Sequence, residues 1–163
     1  MARVYVSVGS NVEPAHNVRR ALEMLRQRFG ALQVSPVYET RPVGFEGENF
    51  WNLVVGFDTD DPPRRVGDRL RAMEDAAGRQ RGESSFAPRT LDLDLLLYDD
   101  LVLEEPGLHI PRDEITRYGF VLKPLADIAG ERRHPLTGRT FAELWAAFGD
   151  DPSIVGRVDV DTV

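Results

Sequence analysis

Leu91-Asp92-Leu93-Asp94-Leu95-Leu96-Leu97-Tyr98 is the strongest strand signal in the chain. Its alternation puts Leu91, Leu93, Leu95 and Leu97 on one face, toward a core. Asp92 and Asp94 then project together from the other face, roughly 6.5 Å apart along the strand. Upstream, Pro62-Pro63 opens a helix whose apolar face is Val66, Leu70, Met73 and Ala77, and Gly78 closes it. Before that helix, residues 50–57 read as a strand rich in aromatic and β-branched side chains. Residues 39–49 form a loop with Pro42, Gly44 and Gly47, longer than an ordinary connection and so a candidate functional loop. Residues 32–38 are β-like. Val18, Ala21, Leu22, Leu25 and Phe29 recur at helical spacing, which predicts a helix from Pro14 that Gly30 stops. Residues 3–9 open the chain as a strand, and Ser10-Asn11 turns it.

The order β-α-β-β-α-β predicts an α+β fold: a ferredoxin-like antiparallel sheet with helices packed on one face. Downstream, short helices are expected at 112–116 and 119–128 and a last one at 140–148, a helical C-terminal extension. The polar tail, 150–163, reads as loose. With 163 residues the chain is expected to be a single domain, 1–163.

Composition narrows the function classes. A net charge of −7 argues against nucleic acid as a partner. No apolar run approaches the roughly 18 residues of a membrane span, and no signal-peptide pattern opens the chain, so the expected location is cytoplasmic, away from any membrane. The absence of cysteine excludes disulfides, thiolate zinc sites and cysteine nucleophiles. Every basic residue except Lys123 is arginine.

An isolated Asp-x-Asp pair more often decorates a solvated strand than binds anything. Here it follows a polar loop with Arg79, Arg81 and Arg89, and with Phe86 as an aromatic that could stack on a flat ligand. Carboxylates for hard Mg²⁺ beside cationic clamps for an anion are the parts phosphoryl transfer needs.

The run Ala87-Pro88-Arg89-Thr90-Leu91-Asp92-Leu93-Asp94-Leu95-Leu96 resembles the signature of the 6-hydroxymethyl-7,8-dihydropterin pyrophosphokinases of folate biosynthesis. The likeness extends over most of the chain, from Val4 to about Leu144. Ser7-Val8-Gly9-Ser10-Asn11, Tyr38-Glu39-Thr40-Arg41-Pro42-Val43-Gly44, Phe50-Trp51-Asn52-Leu53-Val54 and Gly119-Phe120-Val121-Leu122-Lys123-Pro124-Leu125 resemble four further blocks of that family, in order. The resemblance implies transfer of pyrophosphate from ATP to the pterin's hydroxymethyl group, releasing AMP. It implies two Mg²⁺ ions on Asp92 and Asp94, with Arg79 and Arg89 assisting catalysis. For the pterin it implies edge recognition by Asn52, backbone contacts from Thr40, Arg41 and Val43, a wall contact from Phe50, and stacking between Phe86 and Phe120. For ATP it implies Glu74, Arg79, Arg81, Arg89, Leu95, Leu108, His109, Arg112, Arg117 and Tyr118.

Three positions depart from the family pattern. Arg112 stands where a histidine is usual, Tyr118 where an arginine is usual with Arg117 one residue earlier, and Ser85 where a basic residue is common. His16 and His134 are expected at the surface. A monomer or weak dimer is expected. The alternatives are a non-catalytic pterin or nucleotide sensor on the same fold, and a plain interaction module without a ligand. Residues 39–49 and 79–88 are the candidate lids.

Overall fold

The computed structural model describes residues 1–78 and 90–159. Strand β1 (Ala2–Ser10) is followed by α1 (Pro14–Phe29), β2 (Gln33–Val34), β3 (Val37–Thr40), β4 (Phe50–Thr59) and α2 (Pro63–Ala76). After the loop come β5 (Asp92–Tyr98), β6 (Leu103–Glu105), β7 (Leu108–Ile110), α3 (Glu114–Arg117), α4 (Gly119–Ala129), α5 (Phe141–Phe148) and β8 (Ile154–Val158). The main sheet runs β5-β1-β4-β3-β8, with β2 also paired to β4, and all its pairings are antiparallel. β6 and β7 form a separate hairpin.

The β-like stretch 32–38 is broken into β2 and β3 at Ser35-Pro36, because proline has no N–H for a ladder. Ser35 compensates: its N–H donates to the Val54 carbonyl and its hydroxyl accepts the Val54 N–H.

Each strand of the sheet serves two layers. Val4, Val6 and Val8 of β1 and Leu53, Val55 and Phe57 of β4 face α1 and α2, where they meet Leu22, Leu25, Val66 and Leu70. Tyr5 and Val54 face the other way, onto Val121, Leu122 and Leu125 of α4 and Phe141 of α5. Helices therefore cover both faces, not the one expected. The C-terminal helices are a second layer, because the outward residues of these strands are themselves apolar and need cover.

Two other expectations change. β5 carries a bulge: Tyr5 pairs with Leu97 and Val6 with Leu95, so Leu96 is an extra residue. The bulge reverses the alternation, and Leu97 joins Leu96 in the α4 layer instead of following Leu91, Leu93 and Leu95. The tail expected to be loose contains β8, hydrogen-bonded along the edge of β3.

His134 is buried rather than at the surface. Its Nδ1 accepts N–H bonds from Leu136 at 3.1 Å and Thr137 at 3.4 Å, and its ring meets Phe141 edge-on. Burial lowers its pKa, keeping it neutral. No helix among the described residues is long and apolar enough to cross a membrane.

Candidate active site

α4 covers only part of its face of the sheet. Where the cover stops, three strands present one row of residues in register: Asp92 of β5 beside Gly9 of β1 beside Asn52 of β4. A Cβ at Gly9 would lie 2.8 Å from the Asn52 Oδ1, so a larger residue there would push the amide aside. The missing side chain leaves room above the sheet. A cavity of about 400 Å³ opens there, lined by Ser7, Gly9, Thr40, Arg41, Val43, Phe45, Phe50, Asn52, Asp92, Asp94, Leu96, Arg112, Glu114, Tyr118 and Phe120, among others. Val43, Phe45, Phe50, Leu96, Tyr118 and Phe120 give it apolar and aromatic surface, and Thr40, Arg41, Asn52, Asp92, Asp94, Arg112 and Glu114 give it polar groups. That suits a flat heterocycle, whose faces stack and whose edge hydrogen-bonds. Asn52 Nδ2 donates to Thr40 Oγ1 at 2.7 Å, which orients the amide. Phe120 stacks on Tyr118 with ring centroids 5.0 Å apart, and Phe45 meets Phe50 edge-on at 6.2 Å.

A second cavity, about 460 Å³, lies on the other side of the same two aspartates. α2 supplies Gly67, Leu70, Arg71 and Glu74 to it, and the β6–β7 hairpin supplies Glu104, Glu105, Gly107, Leu108 and His109. Asp92, Asp94 and Arg112 are the residues lining both cavities.

The seam between them is electrostatically tense. Burial pushes the Asp94 carboxyl up to about 7, and the Asp92 charge adds to that. Arg112 opposes it, with its Nη2 at 3.5 Å from Asp94 Oδ1, while Glu74 and Glu114 raise it further. Arg112 is held by its own N–H, which donates to the Leu96 carbonyl at 3.1 Å, and by Nε, which donates to Glu114. Glu74 is only 4% exposed, and its Oε2 accepts the Leu93 N–H at 2.9 Å. It thereby satisfies a donor on β5, the strand at one end of the sheet.

No group of three or more His, Asp or Glu arranged to hold a metal occurs among the described residues. Two carboxylates alone are nevertheless a suitable donor set for Mg²⁺, which takes one or two from a protein and the rest from phosphates and water.

A sequence model of the family described as 7,8-dihydro-6-hydroxymethylpterin-pyrophosphokinase (HPPK) matches residues 5–130. The chain belongs to this family. It is 40% identical to a 2-amino-4-hydroxy-6-hydroxymethyldihydropteridine pyrophosphokinase of Pseudomonas aeruginosa, over 89% of this chain and 91% of that one. It is 31% identical to the protein of the same name from Aquifex aeolicus, over 88% of this chain and 91% of that one. Among solved structures, the Plasmodium falciparum HPPK-DHPS triple mutant with SDX-DHP superposes with a TM-score of 0.72 at 14% identity, over 90% of this chain. This chain spans 41% of that longer one, and the likeness there is one of fold.

Of the residues that the HPPK resemblance singles out, Thr40, Arg41, Val43, Phe50, Asn52 and Phe120 come together in the first cavity. Glu74, Leu95, Leu108 and His109 come together in the second. Tyr118, expected with ATP, lines the first cavity, and Arg117 is exposed, lines neither, and lies 6.0 Å over the Tyr118 ring. Arg79, Arg81, Ser85, Phe86 and Arg89 lie outside the described residues. Sequence reasoning assigned no role to Gly9, Phe45, Arg71 or Glu114. A signal existed for Gly9, which lies in the family-like stretch Ser7-Val8-Gly9-Ser10-Asn11. Glu114 had none, because its importance comes from Arg112 beside it.

Proposed function

We propose that the first cavity takes the pterin, the second takes ATP, and the transferred group crosses the seam at Asp92 and Asp94. The chain is an ATP-dependent pterin pyrophosphokinase of folate biosynthesis, as its family is. The observation that carries the site assignment is that two cavities of different character share Asp92, Asp94 and Arg112.

In this reading Asn52 hydrogen-bonds the pterin's polar edge, and Phe120 and Phe50 line its faces. The hydroxymethyl oxygen is thereby aimed at the seam. It attacks the β-phosphorus of ATP, the bond from that phosphorus to the α-phosphate oxygen breaks, AMP departs, and the hydroxyl proton is released to solvent. Holding both substrates in line is most of the catalysis such a transfer requires. Asp92 and Asp94 would hold two Mg²⁺ ions, which when bound supply positive charge against the phosphates. Arg112 adds a fixed cation on the same side, where the family usually has histidine. Glu74 anchors β5 and so keeps both aspartates in place. Arg79, Arg81, Arg89 and Phe86 fill the phosphate-gripping and stacking roles that the resemblance gives them.

The sheet order β5-β1-β4-β3 with α1 and α2 on one face supports a ferredoxin-like reading of the fold. We read the chain as one domain, acting in the cytoplasm as a monomer or weak dimer.

Product analysis tests the function. Purified protein with Mg²⁺, ATP and 6-hydroxymethyl-7,8-dihydropterin should release AMP, not ADP, in step with pterin diphosphate. Tight pterin binding with no AMP would instead support a sensor.

A further inference from the structure

The C-terminal segment 151–158 touches both walls of the first cavity. On one side the Arg41 N–H donates to the Ser153 carbonyl at 2.7 Å, and Arg41 Nη1 donates to the Pro152 carbonyl at 3.0 Å. β8 then continues along β3, pairing Thr40 with Ile154 and Tyr38 with Arg157. On the other side Asp151 packs directly on Gly119, the residue before Phe120. A Cβ at Gly119 would fall 2.5 Å from the Asp151 Cβ. Asp151 is itself set by its Oδ1, which accepts the Ser153 N–H at 2.9 Å, and by its carbonyl, which accepts the Ile154 N–H at 3.1 Å. Further along, the Arg157 guanidinium lies 5.9 Å over the Tyr38 ring, and the Tyr38 hydroxyl donates to Asp127 of α4.

We propose that residues 151–158 are a positioning strap for the first cavity, holding Thr40 and Arg41 on one wall and Phe120 on the other at the separation a flat ligand needs. The proposal rests on the assignment of the pterin to this cavity. Without the strap, the loop after Thr40 would lose the backbone bond that fixes its first residue, and α4 would lose the contact that seats its first turn. Stacking falls off within a fraction of an ångström, and small misplacements of a bound reactant cost rate steeply. The second cavity should not feel the strap, because none of its described lining residues belongs to β3, α4 or β8.

Gly119→Ala tests this cleanly. Gly119 does not have positive φ, and alanine is the better helix former, so the intended disturbance is the clash with Asp151. Removing the opposing Cβ with Asp151→Gly should relieve it. In steady-state assays of AMP release, Gly119→Ala should raise the KM for the pterin about tenfold and leave kcat and the KM for ATP within about twofold. The double variant should return the pterin KM to within about threefold of the parent. A pterin KM that Asp151→Gly does not rescue overturns the strap, as does an ATP KM that rises in step. If the parent protein releases no AMP, the functional reading fails, but the strap is still readable by amide exchange. Gly119→Ala should speed exchange at Arg41 and residues 119–122, and Asp151→Gly should reverse it. Exchange that does not change overturns the strap independently of any activity.

Discussion

The two faces of the central sheet are built from the same strands and end differently. The face toward α1 and α2 is sealed: Val4, Val6, Val8, Leu53, Val55 and Phe57 are all at most 1% exposed. The face toward α4 is sealed only in part, and at its open end stand Gly9, Asn52, Asp92 and Asp94. Alternation makes this division possible, since β5 puts leucine into a core and aspartate into a cavity at successive positions. The difference teaches where stability and reactivity are kept: the closed face supplies rigidity, and the open one spends some of it on crowded carboxylates.

If the division is right, substitutions on the two faces should separate stability from turnover. Asp94→Ala should lower AMP release on the order of 10⁴-fold, about 5.5 kcal/mol, while the far-ultraviolet circular dichroism stays that of the parent. An enzyme that kept even a tenth of its rate would break the assignment of the open face. Phe57→Ala, behind the same sheet, should cost about 4 kcal/mol in denaturant unfolding, since it empties a fully buried ring site stacked 4.2 Å from Phe29. Its surviving folded fraction should retain the parent KM values.

Asp94→Asn should sharpen the contrast, because it should stabilise the ligand-free protein while abolishing activity. Folding raises the Asp94 pKa from its ordinary value of 3.8 to about 7. The folded state therefore holds a proton that the unfolded chain releases. Its stability drops as pH rises through that window, and the penalty is fully present above pH 7. The neutral amide removes the penalty, worth about 1 kcal/mol at pH 8 once partial solvent screening is allowed for. A melting temperature at pH 8 equal to or below the parent's would refute it.

His134, away from both cavities, should give the smallest effect and the opposite pH direction. Its folded pKa is lowered, so the unfolded chain takes up the proton first. The ring's contribution is present above about pH 6.5 and lost as pH falls below it. Unfolding curves from pH 8 to 5 should show His134→Asn losing less than about 1 kcal/mol of that acid sensitivity.

The placement of Asp92 and Asp94 on one face was legible because strand geometry alone dictates it. Leu97 was misread because the bulge at Leu96 depends on the partner strand, and no feature of β5 itself announces an extra residue. β8 was missed because its strand character lies in backbone bonds to β3, while its side chains alternate between half-buried and exposed without a strong apolar signal. His134 was misplaced for a related reason: the donors that bury it are turn amides of Leu136 and Thr137, which carry no side-chain signature. Glu74 and the aromatic walls became meaningful only through the family resemblance. A carboxylate on a helix face does not reveal that it reaches the N–H of a strand nineteen residues later.

The row of Asp92, Gly9 and Asn52 has one more consequence. Neighbouring strands are about 4.8 Å apart, so the backbones at Asp92 and Asn52 stand roughly 10 Å from each other. With a ligand's polar edge at Asn52 and its reacting oxygen at Asp92, that interval acts as a ruler. An alcohol carried on a shorter or longer heterocycle would present its oxygen before or beyond the mark. Under the proposed assignment, substrate length would be gauged by the spacing of the sheet, which no side-chain substitution can easily alter.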